Sequence, residues 1–234
     1  MKLAGKRVLV TGGSRGLGLS VAGAMAAAGA AVCAWGRDQE ALAAAAESLK
    51  EVQGSCRFQQ VDVRDEQAVV AASKALEPVD VLVNNAGIAS AARALETPTQ
   101  ELEEILRTNV VGAFVVMREI ARGMVANGGG LVINVASDAA LKGIAGMGPY
   151  CASKHGLLGM GRSFAAELRA QKVRITTFCP GPISTDIMGA GTANPDYMDP
   201  DALAQLLVAI AALDPRIEIQ DLLCAPMPPT SSDS

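Results

Sequence analysis

"VLVTGGSRGLG", residues 8–18, sets a short apolar run against a glycine-rich turn, and "GLSVAGAMAAAGA", residues 18–30, follows with helical spacing. Strand, glycine loop and helix in that order are the setting in which backbone cradles a dinucleotide pyrophosphate. Gly12 permits the turn off the strand, Gly16 lets backbone approach the pyrophosphate, and Gly18 allows close helix packing. Ser14, Arg15 and Leu17 complete the loop, and the amides at the helix N-terminus face the anion. A tight strand-to-helix turn with no ligand is the alternative that glycines alone would allow.

The same alternation repeats downstream. The strand candidates are "AVCAWG" (31–36), "FQQVDV" (58–63), "VDVLVNNAG" (79–87), "GLVINVAS" (130–137) and "VRITTFCPG" (173–181). Stretches of helical periodicity separate them at 38–52, 65–77, 99–125 and 150–171. Such alternation calls for a parallel sheet with helices on both faces, whose doubly covered strands need not alternate apolar and polar positions. A last helix at 200–213 and a last strand within 216–225 complete the expectation. It is an α/β, three-layer, doubly wound Rossmann fold with a parallel sheet of about seven strands. No composition break divides the chain, so residues 1–234 read as a single dinucleotide-binding catalytic domain with a short substrate lid around 186–200.

Of the 234 residues, 50% are apolar and 19% charged, the balance of a folded chain rather than a disordered one. A net charge of −4 without a long basic run argues against nucleic acid or an anionic membrane as partner. A small molecule or an acyl carrier fits better. The first apolar run, Val8–Val10, is too short for a signal peptide or a membrane span, so the expected compartment is the cytoplasm. Five widely spaced cysteines without a CxxC, and a lone His155, point to free thiols with no metal site and no disulfide framework.

The choice of dinucleotide depends on charge at the end of the second strand, where a carboxylate would bind a ribose 2′-OH and repel a 2′-phosphate. Here the residues are "AWGRDQ", with Arg37 at the tip and Asp38 placed to cap the next helix. Arg15 adds a second guanidinium, and two of them suit a dianionic phosphate, so NADP(H) is expected over NAD(H). Both arginines being merely solvated is the alternative.

In "PYCASKHG" (149–156), Tyr150 and Lys154 share a helix face. A phenol could hand its proton to a carbonyl oxygen, and an adjacent ammonium would lower its pKa from near 10 toward a more useful value. Ser137, at the end of "GLVINVAS", is placed to hold the substrate oxygen, because strand ends line the ligand crevice of open α/β sheets. Each of these residues alone would read as packing or a cap.

Together they resemble a known family, the short-chain dehydrogenases/reductases. The resemblance rests on "TGGSRGLG", Asp62 in "VDV", "NNAG" at 84–87, Asn109 in "RTNVVG", Ser137, the YxxxK of Tyr150 and Lys154, and "PGPIST" at 180–185. It implies that Tyr150 is the general acid, that Ser137 orients the carbonyl, that Lys154 binds the nicotinamide ribose, and that Asn109 holds a water on a proton relay. It also implies that Asp62 and Val63 meet the adenine and that Asn85, Ala86 and Gly87 line the cofactor cleft. In the segment beginning at Pro180 and Gly181, Thr185 and the Ile183 backbone would contact the nicotinamide carboxamide.

The pocket wall is expected from 138–148, Ile88 and Met188, with Arg93 and Lys142 as solvated residues or anion contacts. The helix around 109–125 is apolar on more than one face, which suits a homodimer or homotetramer. The expected activity is NADPH-dependent reduction of a carbonyl, a 3-oxoacyl thioester or similar ketone, resembling 3-oxoacyl-(acyl-carrier-protein) reductases. An alcohol or hydroxysteroid-type dehydrogenase working in oxidation, and a dinucleotide-sensing protein without catalysis, are the competing readings.

Overall fold

The computed structural model describes residues 2–52, 54–185, 187, 194 and 196–227. Seven strands form one parallel sheet: β1 (Arg7–Thr11), β2 (Ala31–Gly36), β3 (Ser55–Gln60), β4 (Val81–Asn84), β5 (Gly130–Val135), β6 (Val173–Pro180) and β7 (Asp221–Cys224). Their order is β3-β2-β1-β4-β5-β6-β7. The chain therefore begins at the centre of the sheet, winds to one edge, and restarts beside β1 to wind to the other. The β1/β4 junction is the switch point at whose carboxyl side open α/β sheets form a crevice.

Helices α1 (Gly16–Ala27), α2 (Gln39–Ser48), α3 (Glu66–Ala75), α4 (Thr99–Leu106), α5 (Ala113–Ala126), α6 (Gly148–Leu168) and α7 (Pro200–Ala211) connect the strands. On one face Val21, Met25, Leu203 and Leu207, from α1 and α7, pack on Val8, Val10 and Phe178. On the other, Val69, Val116, Met124 and Ala165, from α3, α5 and α6, pack on Leu9, Leu82 and Ile175. Central strands read Val-Leu-Val and Leu-Val-Ile because both their faces are covered, and Leu9, Leu82 and Ile133 are wholly buried.

Three elements differ from the sequence reading. The 99–125 stretch is not one α-helix: a π-helical turn, Arg107–Gly112, separates α4 from α5. The third strand runs over 55–60 rather than 58–63, leaving Asp62 and Val63 in the loop beyond it; as an edge strand it needs no continuous apolar run. The last strand is confined to 221–224. The lid expected at 186–200 lies mostly outside the described residues, although Met198 returns to pair with Ile183.

Asp38 caps α2 as its position suggested, accepting from the amides of Glu40 at 3.0 Å and Ala41 at 3.1 Å. Asp38→Ala is expected to lower stability by about 1 kcal/mol, read as a lower denaturant midpoint at unchanged slope.

Candidate active site

The glycine loop leaves β1 at Thr11 and enters α1 at Gly16. Gly12 and Gly16 both have positive φ, +65° and +52°, which side-chain-bearing residues adopt at a cost. At Gly18 the constraint is contact: a Cβ there would lie 2.1 Å from the Gly12 carbonyl oxygen. Asp38, Asp65 and Asp199 cap α2, α3 and α7 with their carboxylates, whereas Arg15 at the N-cap of α1 offers no side-chain acceptor to the first-turn amides. A helix start with tight glycine backbone and no carboxylate cap fits a pyrophosphate. Leu17 is buried in the core, so its contribution to the loop is backbone only.

Thr11 is a candidate site residue that the sequence reading did not assign. Its hydroxyl oxygen accepts from the Asn85 and Ala86 amides, each at 3.0 Å, and Asn85 Nδ2 donates to the Thr11 carbonyl at 3.0 Å. These bonds fasten the 84–87 loop onto the glycine loop across the switch point. From the far side of the cleft, Thr185 packs 3.4 Å from where a Gly16 Cβ would stand. The Ile183 carbonyl accepts from Thr185 N at 2.8 Å, and Gly181 N, after Pro180, bonds the Cys224 carbonyl at 2.7 Å. Three sequence-distant loops thus converge.

At the β2 end, Ser14 Oγ lies beside Gly36, and Arg37 is exposed. Among the described residues neither Arg15 nor Arg37 has an ion-pair partner; Arg37 does lie near enough to Asp62 to stabilise its charge. The Asp62 carboxylate is clamped by Arg64, whose Nη2 donates to Oδ2 at 2.6 Å and whose Nε and backbone amide donate to Oδ1 at 3.0 Å. This clamp, first by its side-chain hydrogen bonds, holds Asp62 below the ordinary carboxylate range. Val63 is buried, and its carbonyl lies against Gly112, where a Cβ would come within 2.9 Å.

The candidate catalytic side chains gather at the carboxyl ends of β4 and β5. Ser137 follows β5, and Tyr150 and Lys154 lie on the first turns of α6; all three are buried. Asn109, in the π-turn, accepts from Ile88 N at 2.9 Å and donates to the Ile88 carbonyl at 2.8 Å and to Ser153 Oγ at 3.0 Å. These bonds fix the backbone next to Gly87, and one lone pair remains on Asn109 Oδ1. A Cβ on Gly87 would sit 3.3 Å from that oxygen and 3.6 Å from Lys154 Nζ, so the missing side chain keeps the gap between them open.

Lys154 Nζ donates to the Val135 carbonyl at 2.9 Å and lies 5.5 Å from the Tyr150 ring centroid. The expectation that this ammonium lowers the Tyr150 pKa is corrected. Burial pushes the phenol above its ordinary value, the Ser137 hydroxyl opposes that, and the Asp138 charge adds to the rise. Burial also drives the Lys154 ammonium down, to about 8, so its cationic influence fades as pH rises. The surroundings of Tyr150 are apolar, with Ala89, Ile144 and Met147 packed against its cluster. Lys142 is tied to Asp138 at 2.7 Å and the exposed Arg93 to Glu96 at 3.5 Å; Met188 lies outside the described residues.

A parallel sheet whose loops close on one crevice at its switch point is the architecture of the doubly wound dinucleotide-binding class. The family model for short chain dehydrogenase matches residues 6–196, and the chain belongs to the short-chain dehydrogenase/reductase family. It is 35% identical to the 3-oxoacyl-(acyl-carrier-protein) reductase FabG of Chlamydia pneumoniae, over 79% of this chain and 76% of that protein. It is also 35% identical to the D-threitol dehydrogenase of Mycolicibacterium smegmatis, over 80% of this chain and 73% of that one. The structure of a metagenomic short-chain oxidoreductase in complex with NADP superposes with a TM-score of 0.85 at 28% identity, covering 97% and 99% of the two chains. Among the described residues no helix is long and apolar enough to cross a membrane.

Proposed function

We propose that this protein is an NADPH-dependent carbonyl reductase acting on a 3-oxoacyl thioester or a similar ketone. The observation that carries the reading is the convergence of Ser137, Tyr150 and Lys154 beside a glycine loop whose helix start is left uncapped by any carboxylate. When bound, the nicotinamide supplies the hydride. Gly12, Ser14, Arg15, Gly16 and Gly18 would hold its phosphates, Arg37 the 2′-phosphate, Asp62 and Val63 the adenine, and Lys154 the ribose. Ile183 and Thr185 would hold the carboxamide.

Tyr150 donates its proton to the substrate oxygen while Ser137 orients that oxygen. A phenol held above its ordinary pKa carries its proton at neutral pH, the form that protonates a carbonyl oxygen. Asn109 has one acceptor position left to order a water on the path to Lys154. The apolar contacts of Ala89, Ile144 and Met147 suit a substrate of medium size and low charge. Val111 in the π-turn and Val125 near the end of α5, both exposed, support a homo-oligomer joined through that surface.

The test is a spectrophotometric screen for NADPH oxidation across β-ketoacyl thioesters, diketones, quinones and simple ketones. Turnover of one class supports the proposal, and dinucleotide binding without turnover of any class would favour a sensing protein instead. Arg37→Glu is expected to lower the NADPH-over-NADH ratio of kcat/KM by roughly 10- to 100-fold, the scale of one charge-assisted hydrogen bond. A wild-type preference for NADH would overturn the cofactor assignment.

A further inference from the structure

The Ser137 hydroxyl is already engaged. Its oxygen accepts from the Ala139 amide at 3.2 Å and lies 3.0 Å from Asp138 Oδ1. An ionised carboxylate only accepts, so the serine proton points at Asp138. The other carboxylate oxygen takes Lys142 Nζ at 2.7 Å, with Asp138 15% exposed and Lys142 61% exposed. One lone pair remains on Ser137, and both residues act on the Tyr150 phenol: Ser137 steadies its ionised form and the Asp138 charge opposes it. A ketone oxygen cannot donate, so Ser137 can hold it only by withdrawing its proton from the carboxylate. Bonds to a carboxylate are stronger than bonds to a neutral oxygen, so Asp138 competes with the substrate for Ser137.

We propose that Asp138 and Lys142 tune the hydride-transfer site through Ser137: Asp138 is a positioning residue that holds the serine hydroxyl, and Lys142 sets how tightly it is held. The proposal rests on the reading of Ser137 and Tyr150 as the pair that meets the substrate oxygen. While the serine proton lies on Asp138, the support that Ser137 gives a Tyr150 phenolate is weakened. The negative charge of Asp138 works in the same direction. The groups that face Tyr150 are Ser137 and Asp138 from the turn after β5, Cys151 and Lys154 from its own helix, and the apolar Ala89, Ile144 and Met147. Cys179 on β6 acts on Lys154. Asp138 is the one carboxylate among these residues, and Lys142 is its counter-ion.

Tyr150 and Tyr197 are the two tyrosines of the chain. In a Tyr197→Phe background, the near-ultraviolet absorbance of the phenolate therefore reports Tyr150 alone, with no cofactor, substrate or turnover required. Asp138→Asn is expected to move this ionisation to lower pH, because Ser137 is released to donate and the charge is gone. Lys142→Met is expected to move it to higher pH, because the carboxylate then grips the serine harder. Lys142→Arg keeps the pair and should leave the ionisation in place, and adding Lys142→Met to Asp138→Asn should produce no further shift.

The basic limb of kcat/KM for carbonyl reduction should follow the same order. Movement of both single variants in one direction, or of neither, overturns the proposal. Lys142 is exposed, so its variants keep the test alive even where Asp138→Asn perturbs folding. A wild-type protein that turns over no carbonyl compound would sink the proposed function while the phenol titration still judged this inference. Turnover with an unmoved titration would sink this inference alone.

Discussion

Tyr150→Phe is expected to bind NADPH within about twofold of wild type and to lose turnover by roughly 10²- to 10⁴-fold, the range that a positioned proton donor contributes. The ring packs against Ala139 and Cys151 with Ile144 and Met147 alongside, and phenylalanine keeps those contacts. Ser137 keeps the Ala139 amide and Asp138 as partners when the phenol hydroxyl is removed. Neither packing nor the serine is therefore left unsatisfied, and the loss should fall on the chemical step. Fluorescence titration of NADPH separates binding from turnover, and single-turnover kinetics locate the defect. Activity retained within tenfold would refute the assignment of Tyr150 as the acid.

The parts of this site that depend on local chain geometry were legible in the sequence. A glycine with positive φ, such as Gly12 or Gly16, advertises itself by type, and the four-residue spacing of Tyr150 and Lys154 survives any detail of packing. The Asp38 cap was legible for the same reason. Residues whose roles arise from contact across the sheet were not. Thr11 was inside the quoted motif, but its grip on Asn85 and Ala86 requires β1 and β4 to be neighbours, which follows from strand order and not from spacing. The Arg64 clamp on Asp62 depends on where β3 stops, and the reading carried that strand three residues too far.

The π-turn at Arg107–Gly112 was hidden because "RTNVVGAFVV" has nothing that breaks helical periodicity. What demands a special residue there is the Val63 carbonyl pressing on Gly112, again a contact between distant segments. The sign of the Tyr150 shift was missed for a related reason. Spacing showed that a cation was near, but burial, which acts on phenol and ammonium together, is a property of the fold. Where both groups leave water, desolvation outweighs an attraction acting across 5.5 Å.

The same burial makes Lys154→Met an informative substitution: the variant is expected to be inactive and more stable. The Lys154 side chain is 3% exposed, and its pKa falls from 10.5 to about 8 on folding, chiefly through desolvation. Below about pH 8 both folded and unfolded chains hold this proton, and the folded state carries the whole cost of a buried cation. Between about 8 and 10.5 the unfolded chain binds a proton that the folded one does not, so the lysine's contribution to stability rises with pH; above 10.5 the cost is gone. At neutral pH it amounts to about 3 kcal/mol. Methionine has similar length and no charge, and losing the bond to the Val135 carbonyl offsets about 1 kcal/mol of the gain. The net gain of about 2 kcal/mol corresponds to a rise in Tm of roughly 4–8 °C for a chain of this size. Calorimetry of the cofactor-free protein should show the difference at pH 7, and it should shrink by pH 10 as the wild type sheds its proton. A variant that melts below wild type at pH 7 would mean that the ammonium is satisfied in the fold, and that Lys154 is held there for structure rather than kept, at a cost in stability, for the reaction.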